Sequence, residues 1–74
     1  MVAYRQHYQL SELAEAKAQV RALREVYSTP VWLVEWSKDW RGWHTEGLYI
    51  GLGKKREMPA NIAAGCMLIK EIKV

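Results

Sequence analysis

All four tryptophans of this 74-residue chain fall between Thr29 and Leu52. The stretch reads Thr-Pro-Val-Trp-Leu-Val-Glu-Trp-Ser-Lys-Asp-Trp-Arg-Gly-Trp-His-Thr-Glu-Gly-Leu-Tyr-Ile-Gly-Leu. Two runs rich in β-branched and aromatic residues flank a polar, glycine-containing break, which is the pattern of a β-hairpin. Val31 to Trp36 predicts the first arm, with Val31, Leu33 and Glu35 on one side and Trp32, Val34 and Trp36 on the other. Apolar residues on both sides place that arm centrally in a sheet or beneath cover on each face. Ser37 to Gly42 reads as the turn, with Gly42 free to take positive φ. Trp43 to Leu52 is the second arm.

The other segments are partners for this hairpin. Val2 to Leu10 alternates, with Val2, Tyr4, Tyr8 and Leu10 on one face, and predicts a half-buried strand. Ser11 offers an N-cap hydroxyl, and Glu12 and Glu15 suit a first helical turn. From Glu12 to about Tyr27 no Gly or Pro interrupts, and Leu13, Ala16, Val20, Leu23 and Tyr27 recur at spacings of three and four. That is the apolar stripe of an amphipathic helix. Lys17, Arg21 and Arg24 form a separate basic face. Thr29-Pro30 ends the helix, because a residue preceding proline is pushed out of the α region. Met58 to Gly65 allows one or two helical turns, opened by Pro59 and closed by Gly65. Cys66 to Val74 predicts a last strand with Cys66, Leu68, Ile72 and Val74 on one face, its end blunted by Lys70, Glu71 and Lys73.

The expected fold is therefore α+β: one domain, with helix 12–27 packed on a three- to four-stranded, mostly antiparallel sheet in the order β-α-β-β-β. An abbreviated ferredoxin-like unit, its second helix reduced to a turn, is one form this layout takes. A chain this short buries only about 60% of its unfolded surface, and large indoles help to fill a small core.

Half the residues are hydrophobic and 26% are charged, a globular rather than disordered balance. The net charge of +3 permits attraction to nucleic acid or to acidic proteins without requiring either. With a single cysteine, Cys66, no intramolecular disulfide can form and no oxidising compartment is needed. No apolar run is long enough to span a bilayer, and no hydrophobic region follows a basic start, so a cytoplasmic protein is the expectation.

Two clusters are candidates for binding. The first is the hairpin tip, where Lys38, Trp40 and Arg41 stand among Trp36 and Trp43: rings on which bases stack, or which anchor a protein partner. Here Trp36 and Trp43 are expected to pair across the hairpin, leaving Trp40 exposed. The second is basic: Arg21 and Arg24 on the helix, and Lys54, Lys55 and Arg56 after Gly51 and Gly53. These last three could converge on phosphate. They lack the spacing of a Walker loop, and a solvated loop is the plainer reading. Arg41-Gly42-Trp43 begins like the aromatic signature of an RNA-recognition domain, but His44-Thr45-Glu46-Gly47 breaks that pattern.

Chemistry is not indicated. His7, His44 and Cys66 are too scattered for a zinc site. Cys66 with either histidine as nucleophile and base is outweighed by a small buried hydrophobe. No enzyme and no cofactor are expected. The partner is expected to be a larger protein, touched by Lys38, Trp40, Arg41, Arg21, Arg24, Lys54, Lys55 and Arg56. Nucleic acid bound through the basic loop is the second reading, and a homodimer the third. In size and layout the chain resembles the small stand-alone accessory proteins of phages and prophages, anti-CRISPR inhibitors among them. That resemblance implies a single α+β domain that occupies a surface of a larger host machine, and brings no site residues with it.

Overall fold

Ten residues pair with ten at the centre of the molecule. The computed structural model describes residues 4–74. In it Val31–Trp40 (β2) and Trp43–Leu52 (β3) run antiparallel without interruption, from Val31 opposite Leu52 to Trp40 opposite Trp43. The first arm thus extends four residues beyond the expected Trp36. The turn is Arg41-Gly42 alone, with φ of 49° and 81°. Positive φ at both central residues makes it a type I′ turn, whose twist matches that of the strands it joins. Its usual signature is Asn-Gly or Asp-Gly. An arginine at positive φ is uncommon, which is why Ser37 to Gly42 reads as a longer loop in the sequence.

The register explains two glycines. Trp32 lies opposite Gly51 and Trp36 opposite Gly47. A Cβ at Gly51 would come within 2.0 Å of the Trp32 ring, and one at Gly47 within 3.1 Å of the Trp36 ring. Each indole from β2 therefore lies flat over a residue of β3 that has no side chain. The expected Trp36–Trp43 pair does not form: Trp43 lies opposite Trp40, and Trp36 needs its glycine.

Two more strands complete the sheet, in the order β1-β3-β2-β4 with every neighbouring pair antiparallel. His7–Tyr8 (β1) pairs with β3, far shorter than the strand expected from Val2 to Leu10. Of that stretch, Val2 and Ala3 lie outside the described residues. Cys66–Ile72 (β4) takes the outer side of β2. β1, the helix and β2 bracket β3 as in a split βαβ unit. A full ferredoxin-like sheet needs a second such unit to place its last strand beyond β1. Here β4 lies beside β2 instead, so the ferredoxin-like form is not the one adopted. A bulge in β4 at the Ser37/Lys38 position sets Cys66 opposite Lys38, off the face shared by Leu68 and Ile72. Its Sγ–H donates to the Ile62 carbonyl at 2.9 Å.

A single 3-10 turn, Leu10–Glu12, leads into helix Leu13–Val26 (α1). Ser11 is not its cap. Instead Gln9 N–H donates to Glu12 Oε1 at 3.0 Å, and Arg5 Nη2 donates to the same oxygen at 2.6 Å. Those bonds, Arg5 first, hold the Glu12 carboxyl below the usual range. Ala16, Val20 and Leu23 of α1 close on Val31, Leu33, Leu48 and Ile50 to form the main core. Tyr27 and Val26, at the end of the expected stripe, stay exposed. The opposite face of the sheet has a second, smaller core of Trp32, Val34 and Tyr49. Trp36, Met58 and Ile62 pack against it, the last from the one-turn helix Ala60–Ala63 (α2). None of the helices among the described residues is long and apolar enough to cross a membrane.

Candidate functional site

The two-residue turn fixes where each candidate residue can lie. The hairpin closes at its base through Gly53 N–H donating to the Pro30 carbonyl at 2.9 Å. Ten residues at about 3.3 Å each separate that base from the tip, roughly 30 Å. Lys38, Trp40 and Arg41 are at the tip. Lys54, Lys55 and Arg56 follow β3 and so are at the base, where a shallow cleft is lined by Arg24, Tyr27, Pro30 and Arg56 among others. The sequence-predicted residues therefore form two separate groups, with Arg21 on the exposed side of α1 belonging to neither.

At the base, two of the cations are engaged within the chain. Arg24 donates from Nε and Nη2 to the Val31 carbonyl at 3.2 and 2.9 Å, and from Nη1 to the Val74 carbonyl at 2.6 Å. It ties the end of α1 to the start of β2 and to Val74, a structural role. Arg56 forms an ion pair with Glu71 at 2.9 Å. Lys54 and Lys55 remain exposed on the loop.

At the tip the cations lie on rings. The Arg41 guanidinium stands 5.5 Å from the Trp40 centroid and Lys38 Nζ 5.9 Å from that of Trp36. Trp40 and Trp43, directly opposite on the strands, are 66% and 75% exposed. Trp40 was expected outside; Trp43 joins it. Behind them a groove of about 470 Å³ runs between the tip and the turn that precedes β4, lined by Lys38, Asp39, Trp40, Trp43, Thr45, Asn61, Ala64 and Gly65. Its lining is mostly apolar.

The reverse face of the tip carries a constellation that the sequence reading missed. Asp39 lies opposite His44, with Nδ1 2.7 Å from Oδ1, and His44 Nε2 is 3.2 Å from Glu46 Oε2. The carboxylates, Asp39 first and then Glu46, stabilise the imidazolium and raise the His44 pKa above its ordinary 6.5. Placing a two-residue turn at Arg41-Gly42 would have exposed this pair, since Asp39 and His44 are symmetric about it. Thr45 points to the other face and donates to the Lys38 carbonyl at 3.4 Å. Among the described residues, no group of three or more His, Cys, Asp or Glu side chains is arranged to hold a metal ion.

No protein-family model matches the chain, and neither the curated proteins nor the solved structures contain a match.

Proposed function

We propose that the protein is a non-catalytic binding module that grips a larger partner protein with the exposed end of its hairpin. One observation carries this reading: Trp40 and Trp43 stand side by side in solvent, on a hairpin whose other tryptophans are buried (Trp32) or partly buried (Trp36). Indoles anchor protein interfaces because each removes a large apolar area from water while few torsions are lost. The groove behind them would receive an apolar side chain of the partner, and Lys38 and Arg41 would favour an acidic rim around it. An inhibitor that sits on a host machine is one form such a module takes.

The nucleic-acid reading has less support. It needs a cationic track running beside stacking rings, and at the tip Lys38 and Arg41 share the hairpin end with the carboxylates of Asp39 and Glu46. Lys54 to Arg56 lie at the end of the hairpin away from the exposed rings, and Arg56 already has a carboxylate partner.

Affinity capture tests the proposal. Immobilised wild-type chain is expected to retain a discrete protein from host lysate, and the Trp40→Ala/Trp43→Ala double variant to lose it. Retention should change little between low and moderate salt, whereas phosphate contacts would make it fall steeply. Equal capture by both proteins would remove the tip from the account.

A further inference from the structure

The hydrogen-bonding groups around the tip groove are unequal in kind. Each exposed indole, Trp40 and Trp43, carries an N–H that donates and never accepts. The Lys38 ammonium on the same lining only donates. Asn61 of α2 adds an amide that does both. Among the lining residues Asp39 alone has a carboxylate, and it is turned to the reverse face, 2.7 Å from His44 Nδ1. Charge is unequal too. Asp39 and Glu46 both pair with His44, so Lys38 and Arg41 are left without a carboxylate partner among the described residues. An apolar groove with donors and spare cations at its rim suits a ligand that brings acceptors and negative charge.

We infer that the occupant of this groove is a proline-rich segment of the partner in the polyproline II conformation, with a carboxylate flanking the prolines. The inference rests on the tip being the gripping end and names the chemistry of what is gripped. An α-helix has already spent its backbone carbonyls on its own amides, so the donors of the groove would go unused. A β-strand brings as many N–H groups as carbonyls, and the groove has few acceptors to meet them. A polyproline II segment has no internal hydrogen bonds, so its carbonyls are open to donors, and its prolines have no N–H to satisfy. Proline rings pack against aromatic walls, and two indoles directly opposite each other supply such walls. The fixed φ of proline also means that little chain entropy is lost, which matters for a contact as small as a hairpin tip. Lys38 and Arg41 would meet the flanking carboxylate, one as a point charge and the other as a fork.

A titration of isotope-labelled chain with the peptide Glu-Pro-Pro-Leu-Pro-Pro-Glu, followed by NMR at the indole N–H signals, tests this. The Trp40 and Trp43 signals should shift and saturate, while that of Trp32, buried at the base, stays in place. Replacing every proline of the peptide by alanine should weaken binding by about tenfold or more, and replacing both glutamates by lysine by about threefold or more. Trp43→Ala should weaken binding of the proline peptide by about tenfold or more. The alanine peptide meets an unaltered protein, so its result stands even if that variant folds poorly. Equal affinity for the proline and alanine peptides, or no saturable shift of Trp40 and Trp43, overturns the inference. So does a single-stranded oligothymidine that moves the same signals at lower concentration than the peptide, because the rings would then stack bases. Absence of peptide binding, with lysate capture still lost in the Trp40→Ala/Trp43→Ala double variant, would end this inference alone and leave the tip as the gripping end.

Discussion

The two ends of one hairpin contrast sharply although the same strands build both. At the base, Trp32 is 2% exposed, its ring lying over Gly51 and its Nε1 donating to the Gly53 carbonyl at 3.2 Å. At the tip, Trp43 is 75% exposed and lies opposite another exposed indole. α1 covers one face of the base, and Met58 and Ile62 cover the other. On the face that Trp40 shares with Trp43, α2 and the turn before β4 come up only as the far wall of the groove and leave both rings exposed. Aromatic content therefore does not distinguish core from exposed surface here; the position along a ten-residue strand does.

The largest test of that contrast is Trp32→Ala. Truncating a buried Trp costs about 3–5 kcal/mol, against a total stability of roughly 4–11 kcal/mol for a domain of this length. Thermal melts should show Tm lowered by more than roughly 15 °C or no cooperative transition. A smaller loss would mean that the base tolerates a void. Next comes Gly51→Ala. Its new methyl would sit 2.0 Å from the Trp32 ring, and overpacking of this kind costs about 1–3 kcal/mol. Tm should fall by roughly 5–15 °C, and Trp32→Ala should relieve part of that loss in a double-mutant cycle. Trp43→Ala removes the same kind of side chain from the other end. It should shift stability by no more than about 0.5 kcal/mol, as exposed substitutions do. A drop comparable to that of Trp32→Ala would show the tip to be part of the core.

The smallest expected effect concerns pH. The folded pKa of His44 is raised above 6.5 by Asp39 and Glu46. A raised histidine pKa contributes stability that is fully present below the unfolded pKa and is lost as pH rises through the folded value. Protection factors of the amides across 39–46, corrected for the base-catalysed intrinsic rate, should therefore fall as pH is raised through that window, while those at the base of the hairpin stay level. Asp39→Asn should bring the imidazole titration, followed by NMR, down toward its ordinary value. An unchanged titration would show that the carboxylate does not act on the ring.

Much of the base was legible in the sequence. The spacing of Ala16, Val20 and Leu23 located the helical half of the core, and the alternation of Leu48 and Ile50 located the strand half. The tip was less so, because a polar run with a glycine signals a turn without fixing its length. Arg41 hides a type I′ turn, since the usual cue is a residue that enters positive φ easily. That one ambiguity concealed the full length of β2, the Trp40–Trp43 pair and the Asp39–His44 contact. It also obscured the distance between the two cationic groups, which follows once the turn is placed: any residue just after β3 must lie at the base. The bulge in β4 had no cue in the residues around Cys66.

The seating of Trp32 on Gly51 and Trp36 on Gly47 has a further implication. Sliding one strand past the other by a single position would throw both rings into side chains and onto the wrong face. The alignment of the arms is thus latched at the buried end, four residues apart on each strand, whatever occupies 37–46. Substitutions in that outer segment would reshape the exposed end of the hairpin without unfastening the latch, so the chain has room to vary that surface while keeping its shape.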